Sequence, residues 1–381
     1  MLVKSISLQL NISLSTIYSI WRRYKKCGDP GLNNAYSKCG PQTIYHDALM
    51  FRAVLWLKRL HPLWGAGRIR IRLEKRYDLS RIPGERTMQR WLRENNLTEP
   101  RQVRNEPHIG ASRAVHNIWQ VDAKEQLVLA DGTVGCYLTV TDERSGAWLG
   151  APAFPHHRIC QVPLEEVRSA LLKLFERWGK PGAMRVDNGE PLGTSRRNYT
   201  PVLSLWLIGM DVDMIWNKPA CPQENGKVER MQGTSSRWAE PAKCLSLAHL
   251  QKRLDEEAAV QREQFHVKRL EYKTRLQIYP ELETSRRVYD AQTFNVRRIY
   301  DFLSGKVYIR KTSPAGALQL YGELFRLGVI HKNKNIQIKL DPGTCEWQFF
   351  DDKERLITIK AEHLAQENIL NLTGMSKNKT V

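Results

Sequence analysis

Between residues 117 and 240 short apolar runs and one long helical stripe follow each other in an order that few architectures accommodate. Three strand-like runs come first, Ile118 to Ala123, Tyr137 to Thr141 and Ala147 to Ala151. A stripe at helical spacing then appears, made of Leu164, Val167, Leu171, Leu174, Phe175 and Trp178, and stops at Gly179 and Pro181. A short strand from Met184 to Asp187, a helical region around Leu203 to Ile208, a strand from Val212 to Trp216 and a helix from about Asn225 complete the series. Three strands, then strand and helix in alternation, imply an α/β unit with a mixed sheet flanked by helices.

The flanks differ from this centre. With 381 residues and a typical domain of about 100 to 200 residues, two to four units are expected. The first segment, 1–40, has helix-turn-helix grammar: a helix from Val3 to Leu10, a turn at Asn11 and Ile12, and a second helix capped by Ser13 and ending near Gly28. Ile17, Ile20, Trp21 and Tyr24 form its expected core stripe, with Arg22 and Arg23 facing solvent as candidate DNA contacts. Little chain precedes Val3, so a bracing helix is expected to be missing and the module truncated. A second helix-turn-helix unit is expected over 41–97. Its last helix sets Met88, Trp91 and Leu92 on one face and Arg86, Gln89, Arg90 and Arg93 at i, i+3, i+4 and i+7 on the other, which suits phosphate and base-edge contacts in a major groove.

A polar linker over 98–116 leads to the central unit, 117–268, and a basic connector over 269–300 (Arg286, Arg287, Arg297, Arg298) follows it. The stretch 301–372 holds short runs, Val307 to Arg310, Leu324 to Leu327, Ile336 to Leu340, Trp347 to Phe350 and Leu356 to Ile359, separated by turn signals, and reads as a small β-barrel. The tail 373–381 is expected to be disordered.

Lys and Arg number 59 against 40 Asp and Glu, a formal charge of +19, so the chain should favour polyanions. No stretch approaches the roughly 18 to 20 consecutive apolar residues of a membrane span, and the opening residues lack the apolar core of a secretory signal. A soluble cytoplasmic protein without a membrane partner is therefore the expectation. The 7 cysteines are scattered singly, with neither a C-x-x-C pair nor a histidine at ligand spacing. Any metal must come to oxygen ligands.

Three carboxylates of the central unit fall where strand ends or irregular backbone could bring them together. Asp122 follows Trp119-Gln120-Val121 on the first strand, Asp187 ends a later strand before the tight-turn pair Asn188-Gly189, and Glu229 lies one helical turn beyond Asn225. Glu224 competes with Glu229. Five residues at about 100° each set the two roughly 140° apart around a helix, so one face cannot present both to one metal. Glu229 lies inside the helix, whereas Glu224 belongs to its first turn, where a carboxylate often serves the dipole. Glu229 is the better candidate.

The runs Ile118-Trp119-Gln120-Val121-Asp122, Asp187-Asn188-Gly189 and Pro222-Gln223-Glu224-Asn225-Gly226-Lys227-Val228-Glu229-Arg230 resemble the three signatures of the DDE integrase and transposase superfamily, specifically over about residues 117 to 240. The flanks, with His61-Pro62-Leu63-Trp64-Gly65 and Thr87-Met88-Gln89-Arg90-Trp91-Leu92 ahead, are similar to bacterial insertion-sequence transposases and, at the C-terminus, to phage Mu transposase. The resemblance implies an RNase H-like catalytic core in which Asp122, Asp187 and Glu229 bind two Mg²⁺ ions, with Mn²⁺ as a substitute. It also implies metal-dependent DNA cleavage followed by strand transfer, double-stranded DNA (element ends and target) as partner, a homo-oligomer on DNA, and room for helper proteins. Physical chemistry agrees: clustered carboxylates repel, and two Mg²⁺ ions clamp the attacking and leaving oxygens of an in-line phosphoryl substitution. Lys227 and Arg230, flanking Glu229, are candidate phosphate contacts. The chain departs from the retroviral pattern in lacking the His/Cys zinc module and in the interval from Asp187 to Glu229, 229 − 187 = 42 positions, which places an insertion near Thr194 to Tyr199.

Two other readings stay open at the level of sequence. Fold and triad do not fix the fate of a 3′-OH, so a metal-dependent nuclease that cuts without joining fits as well. A DNA-binding regulator or inhibitor of transposition with an idle catalytic domain fits the truncated start.

Overall fold

The computed structural model describes residues 3–33, 47–98, 112–193, 199–218, 222–284, 287–352 and 354–373. Most of the expected linker, the expected insertion up to Asn198, Arg286 and the tail after Thr373 lie outside the described residues. The chain divides into two compact units, Met1–Trp56 and Leu57–Val381.

In the first unit α1 (Val3–Leu10) and α2 (Leu14–Cys27) form a helical hairpin. Ser13 caps α2 by accepting from the Thr16 amide, and Gly28, at φ 64°, ends it with an amide bond to the Tyr24 carbonyl. The stripe of Ile17, Ile20, Trp21 and Tyr24 is not a core: no residue of either helix is buried, and Trp21 remains 53% exposed. α3 (Ala48–Leu60) carries the chain into the second unit.

There α4 (Ala66–Glu74) and α5 (Glu85–Glu94) follow each other through a short connection. Met88, Trp91 and Leu92 of α5 are buried, leaving its arginine face outward. α4 is pinned to the central unit: the Arg68 guanidinium pairs with Glu257, Ile71 joins a buried cluster with Trp238 and Val260, and His61, just ahead of α4, bonds Glu240 at 2.6 Å.

The central sheet is built from β1 (Ile118–Val128), β2 (Val134–Asp142), β3 (Trp148–Gly150) and β4 (Ala153–Phe154), then, after α6 (Leu164–Trp178), β5 (Ala183–Val186), and, after α7 (Val202–Gly209), β6 (Asp213–Trp216). The strand order is β3-β2-β1-β5-β6, with β4 also on β2. β1 is antiparallel to β2 and parallel to β5, and β5 is parallel to β6, which gives the mixed sheet. Period-two alternation sends Trp119 and Val121 of β1, with Leu138 and Val140 of β2, into the core shared with α6 and α7. Gln120 and Asp122 therefore face the other side, where α8 (Gly226–Ala239) and α9 (Leu247–Glu263) lie with Tyr137, Trp148 and Met231. α7, apolar all round, is buried along its whole length.

The chain continues through α10 (Arg275–Ile278), α11 (Glu281–Thr284) and α12 (Val296–Ser304) into β7 (Tyr308–Lys311), β8 (Ala317–Leu320), β9 (Glu323–Arg326), β10 (Asn335–Asp341), β11 (Glu346–Asp351) and β12 (Glu354–Lys360), ending in α13 (Gln366–Leu370). These strands form an antiparallel sheet in the order β12-β11-β10-β7 and a separate hairpin, β8-β9. The ladders among the described residues do not close into the expected barrel; the hairpin instead lays Leu318, Leu320 and Phe325 onto a core with Ile338, Trp347 and Phe349. That core is continuous with the one beneath the central sheet through Leu207, Ile299 and Leu303. No helix among the described residues is long and apolar enough to cross a membrane.

Candidate active site

The pairing register decides which acids can meet. Val121 of β1 stands opposite Val186 of the parallel strand β5, so the next residue on each, Asp122 and Asp187, emerges at the same end of neighbouring strands. Asp187 folds back on its turn, its Oδ1 accepting from the Gly189 amide at 3.1 Å, and the Asn188 side chain ties the turn to the Asn217 carbonyl at 3.0 Å. Glu229 comes from the first turns of α8 and is exposed, as is Asp187.

The three carboxylates sense one another. Asp122 is pushed up to about 7, first by burial and then by the charge of Asp187; a hydrogen bond from the Ala123 amide opposes the shift, and Glu229 and Glu125 add to it. Glu224 belongs to a different local structure: it sits in a 3-10 turn, Pro222–Asn225, ahead of α8 and not in its first turn, and its carboxylate accepts from the Lys218 amide at 3.0 Å. Among the described residues no three His, Cys, Asp or Glu side chains already stand in an arrangement that holds a metal ion. Asp187 and Glu229 both act on Asp122 by charge.

Gln120 fixes where α8 begins, and sequence reasoning gave it no role. Two residues before Asp122 and on the same face of β1, it is 2% exposed. Its Oε1 accepts from the amides of Lys227 (3.2 Å) and Val228 (3.0 Å), and its Nε2 donates to the Glu224 carbonyl (3.2 Å) and to Glu143 Oε2 (3.0 Å). Asn225, the residue ahead of α8, makes no side-chain cap bond, so a side chain from the central strand caps this helix instead. Glu143, just past β2 and fully buried, also takes Arg185 Nε at 2.9 Å and the Ser112 amide at 3.1 Å. Burial works to raise the Glu143 pKa, but the bonds from Gln120 and Arg185 outweigh it, so this acid stays ionised below the usual range and anchors the network. The available signal was a lone amide at i−2 from the acid, on the polar face of an otherwise apolar strand.

The expected DNA contacts divide into outward and inward groups. Arg22 and Arg23 are exposed on α2 in the first unit, and Arg86, Gln89 and Arg93 are exposed on α5. Arg90, half-buried, stands 3.9 Å from Glu94. Arg230 is exposed. Lys227 is turned inward: its ammonium donates to the Glu143 carbonyl, and burial lowers its pKa. Its place in the first turn of α8, under the Gln120 cap, sets the side chain against the end of β2, while it also lines a cavity with Arg230.

No protein-family model matches the chain. Among solved structures it is similar to the catalytic core domain of BIV integrase, with a TM-score of 0.33 and 16% identity over 45% of this chain and 97% of that one. It is also similar to the HTLV-2 integrase catalytic core domain in complex with magnesium, with a TM-score of 0.33 and 19% identity over 44% of this chain and 98% of that one. A chain of the simian T-cell lymphotropic virus intasome matches with a TM-score of 0.37 and 15% identity over 81% of this chain and 96% of that one. These neighbours are retroviral integrases.

Proposed function

We propose that this chain is a metal-dependent polynucleotidyl transferase that cuts a DNA strand and joins the freed 3′ end to a target, with Asp122, Asp187 and Glu229 as the metal-binding triad. The observation that supports this reading is the parallel register that brings Asp122 and Asp187 to the same end of neighbouring strands, with Asp187 and Glu229 both raising Asp122 by charge. An all-oxygen donor set with few protein carboxylates suits Mg²⁺, with Mn²⁺ as a substitute, and leaves positions for water and DNA phosphate. When bound there, two such ions supply charge stabilisation for an in-line phosphoryl substitution.

The protein's own part is placement. Asp122 and Asp187 are fixed by strand register. Glu229 is fixed by the Gln120 cap and the Tyr137 hydroxyl bond to Ser235 at 2.8 Å, both of which hold α8 to the sheet. The arginine face of α5 reads DNA and, through the Arg68 and His61 ties, stands in fixed relation to the carboxylates. One triad serves one strand at a time, so the working form on two DNA ends is a homo-oligomer.

The test is a cleavage and strand-transfer assay with Mg²⁺ or Mn²⁺ on DNA carrying the flanks of the chain's own gene, comparing Asp187→Asn, Glu229→Gln and Glu224→Gln. Joined products lost in the first two variants and kept in the third support the reading. Strand transfer that persists in Asp187→Asn refutes it, as does tight binding without cleavage in the wild type.

A further inference from the structure

α8 has a second functional face. Beside Glu229, and about 100° round the helix from it, Arg230 begins the rim of a cavity of about 530 Å³. Arg68, Arg230, Arg237, Arg269 and Arg275 line it, and no carboxylate does. Arg230, Arg237 and Arg269 are exposed, and none pairs with an acid among the described residues. Arg275 is pressed down to about 10, first by burial and then by Arg269, with Arg230 adding to the effect.

Two further features point to an anion. α4 enters the cavity wall at Gly65, which leaves the N-terminal amides of a nine-residue helix without a side-chain cap. Arg68, in the first turn of that helix, has a side chain only 7% exposed; one nitrogen pairs with Glu257, but its Nε and Nη1 are buried without a partner. A buried guanidinium with two unsatisfied donors beside an uncapped helix N-terminus offers a phosphate its donors, and the exposed Arg230, Arg237 and Arg269 supply the charge.

We propose that this cavity binds a backbone phosphate of the DNA strand beside the one held at the carboxylates. The inference rests on the polynucleotidyl transferase reading. The nucleic-acid source follows from position: Arg230 directly follows Glu229, and a DNA strand carries a charge about every 3.4 Å, so a strand that reaches the triad has further phosphates within range of this rim.

The experiment uses the full chain and a fluorescein-labelled random-sequence duplex, with binding read by anisotropy across a salt series in EDTA. In the combined variant Arg230→Gln, Arg237→Gln, Arg269→Gln, affinity should fall about tenfold or more and the log–log salt slope should lose at least about one. Gly65→Asp is the second arm. Its Cβ meets nothing within 4 Å, so the new carboxylate should cap α4 and raise Tm while occupying the anion seat and weakening DNA binding. An unchanged slope and affinity in both variants overturns the proposal. Inorganic pyrophosphate bound more tightly than the duplex, and lost in the same variants, would make this a site for a free phosphorylated molecule and overturns the DNA assignment. Failure of the catalytic reading shows separately, as absent Mg²⁺-dependent cleavage while these binding results stand.

Discussion

The two faces of α8 carry opposite signs within a single turn. Glu229 looks toward Asp122 and Asp187, where charge is crowded and negative; Arg230 and Arg237 line a cavity where it is crowded and positive. Each crowd is unfavourable alone, and the proposed metal on one side and the proposed phosphate on the other would each relieve it. A helix across the polar face of a sheet can therefore present an acid and a base to two different sides one residue apart, provided its rotation is fixed. Gln120 and Tyr137 fix it.

The largest effect should come from the acidic face. Asp187→Asn removes one ligand and its charge, and strand cleavage should fall by more than about a thousandfold, over 4 kcal/mol in the barrier, while duplex binding in EDTA is kept. Equal loss of binding and cleavage would mean the two faces are not separable. Next comes the residue that sets the rotation. Gln120→Leu leaves the Lys227 and Val228 amides without their acceptor and Glu143 without a donor. Urea unfolding should show a loss of about 2–4 kcal/mol, and cleavage should fall with it even though all three acids remain. Full activity in a stable Gln120→Leu protein would show that α8 is held by other means.

A third prediction concerns stored repulsion. Asp122 is raised from 3.8 to about 7 in the folded chain. Below about pH 4 it is protonated in both states and contributes nothing. As pH rises toward 7 the unfolded chain gives up a proton that the folded chain retains, so stability falls across that window and stays reduced above it. Asp122→Asn should accordingly stabilise the metal-free protein by about 1–3 kcal/mol at pH 8 and have little effect at pH 4, measured by urea unfolding in EDTA. Added Mg²⁺ should raise Tm in the wild type more than in the variant.

How far the two faces were legible in the sequence differs for physical reasons. The helix Leu164–Trp178 and the strand leading to Asp187 were plain, because an apolar stripe ending at Gly179 and an Asp-Asn-Gly turn are local signals. The meeting of Asp122 with Asp187 depends on parallel register between strands about 60 residues apart, which no local pattern encodes; the motif resemblance supplied it. Gln120 was missed because capping a helix from a distant strand leaves no trace in spacing, and the inward bond of Lys227 depends on that cap. The apolar stripe of α2 was legible as a stripe, but whether anything covers it is not a property of the stripe. In the C-terminal region alternation revealed most strands and failed at β8, where the four-residue run Ala317–Leu320 lies too close to its hairpin partner to stand out.

The smallest effect separates the two helix-turn-helix grammars. α5 has a buried face of Met88, Trp91 and Leu92 that orients its outer residues, whereas α2 buries nothing. A side chain contributes to DNA recognition in proportion to how well its backbone is held, because an unfixed helix must be ordered at binding. Arg93→Gln on α5 should therefore weaken duplex binding several-fold, uniformly across sequences, and reduce the salt slope by about one. Gln89→Ala should instead relax preference at one base pair, at a cost of about 1–3 kcal/mol on the preferred sequence only. Arg22→Gln and Arg23→Gln on α2 should change less than Arg93→Gln in the same anisotropy titrations. A larger loss from the α2 pair would place the stronger DNA contact on the exposed hairpin and would mean that its uncovered stripe becomes buried in the complex.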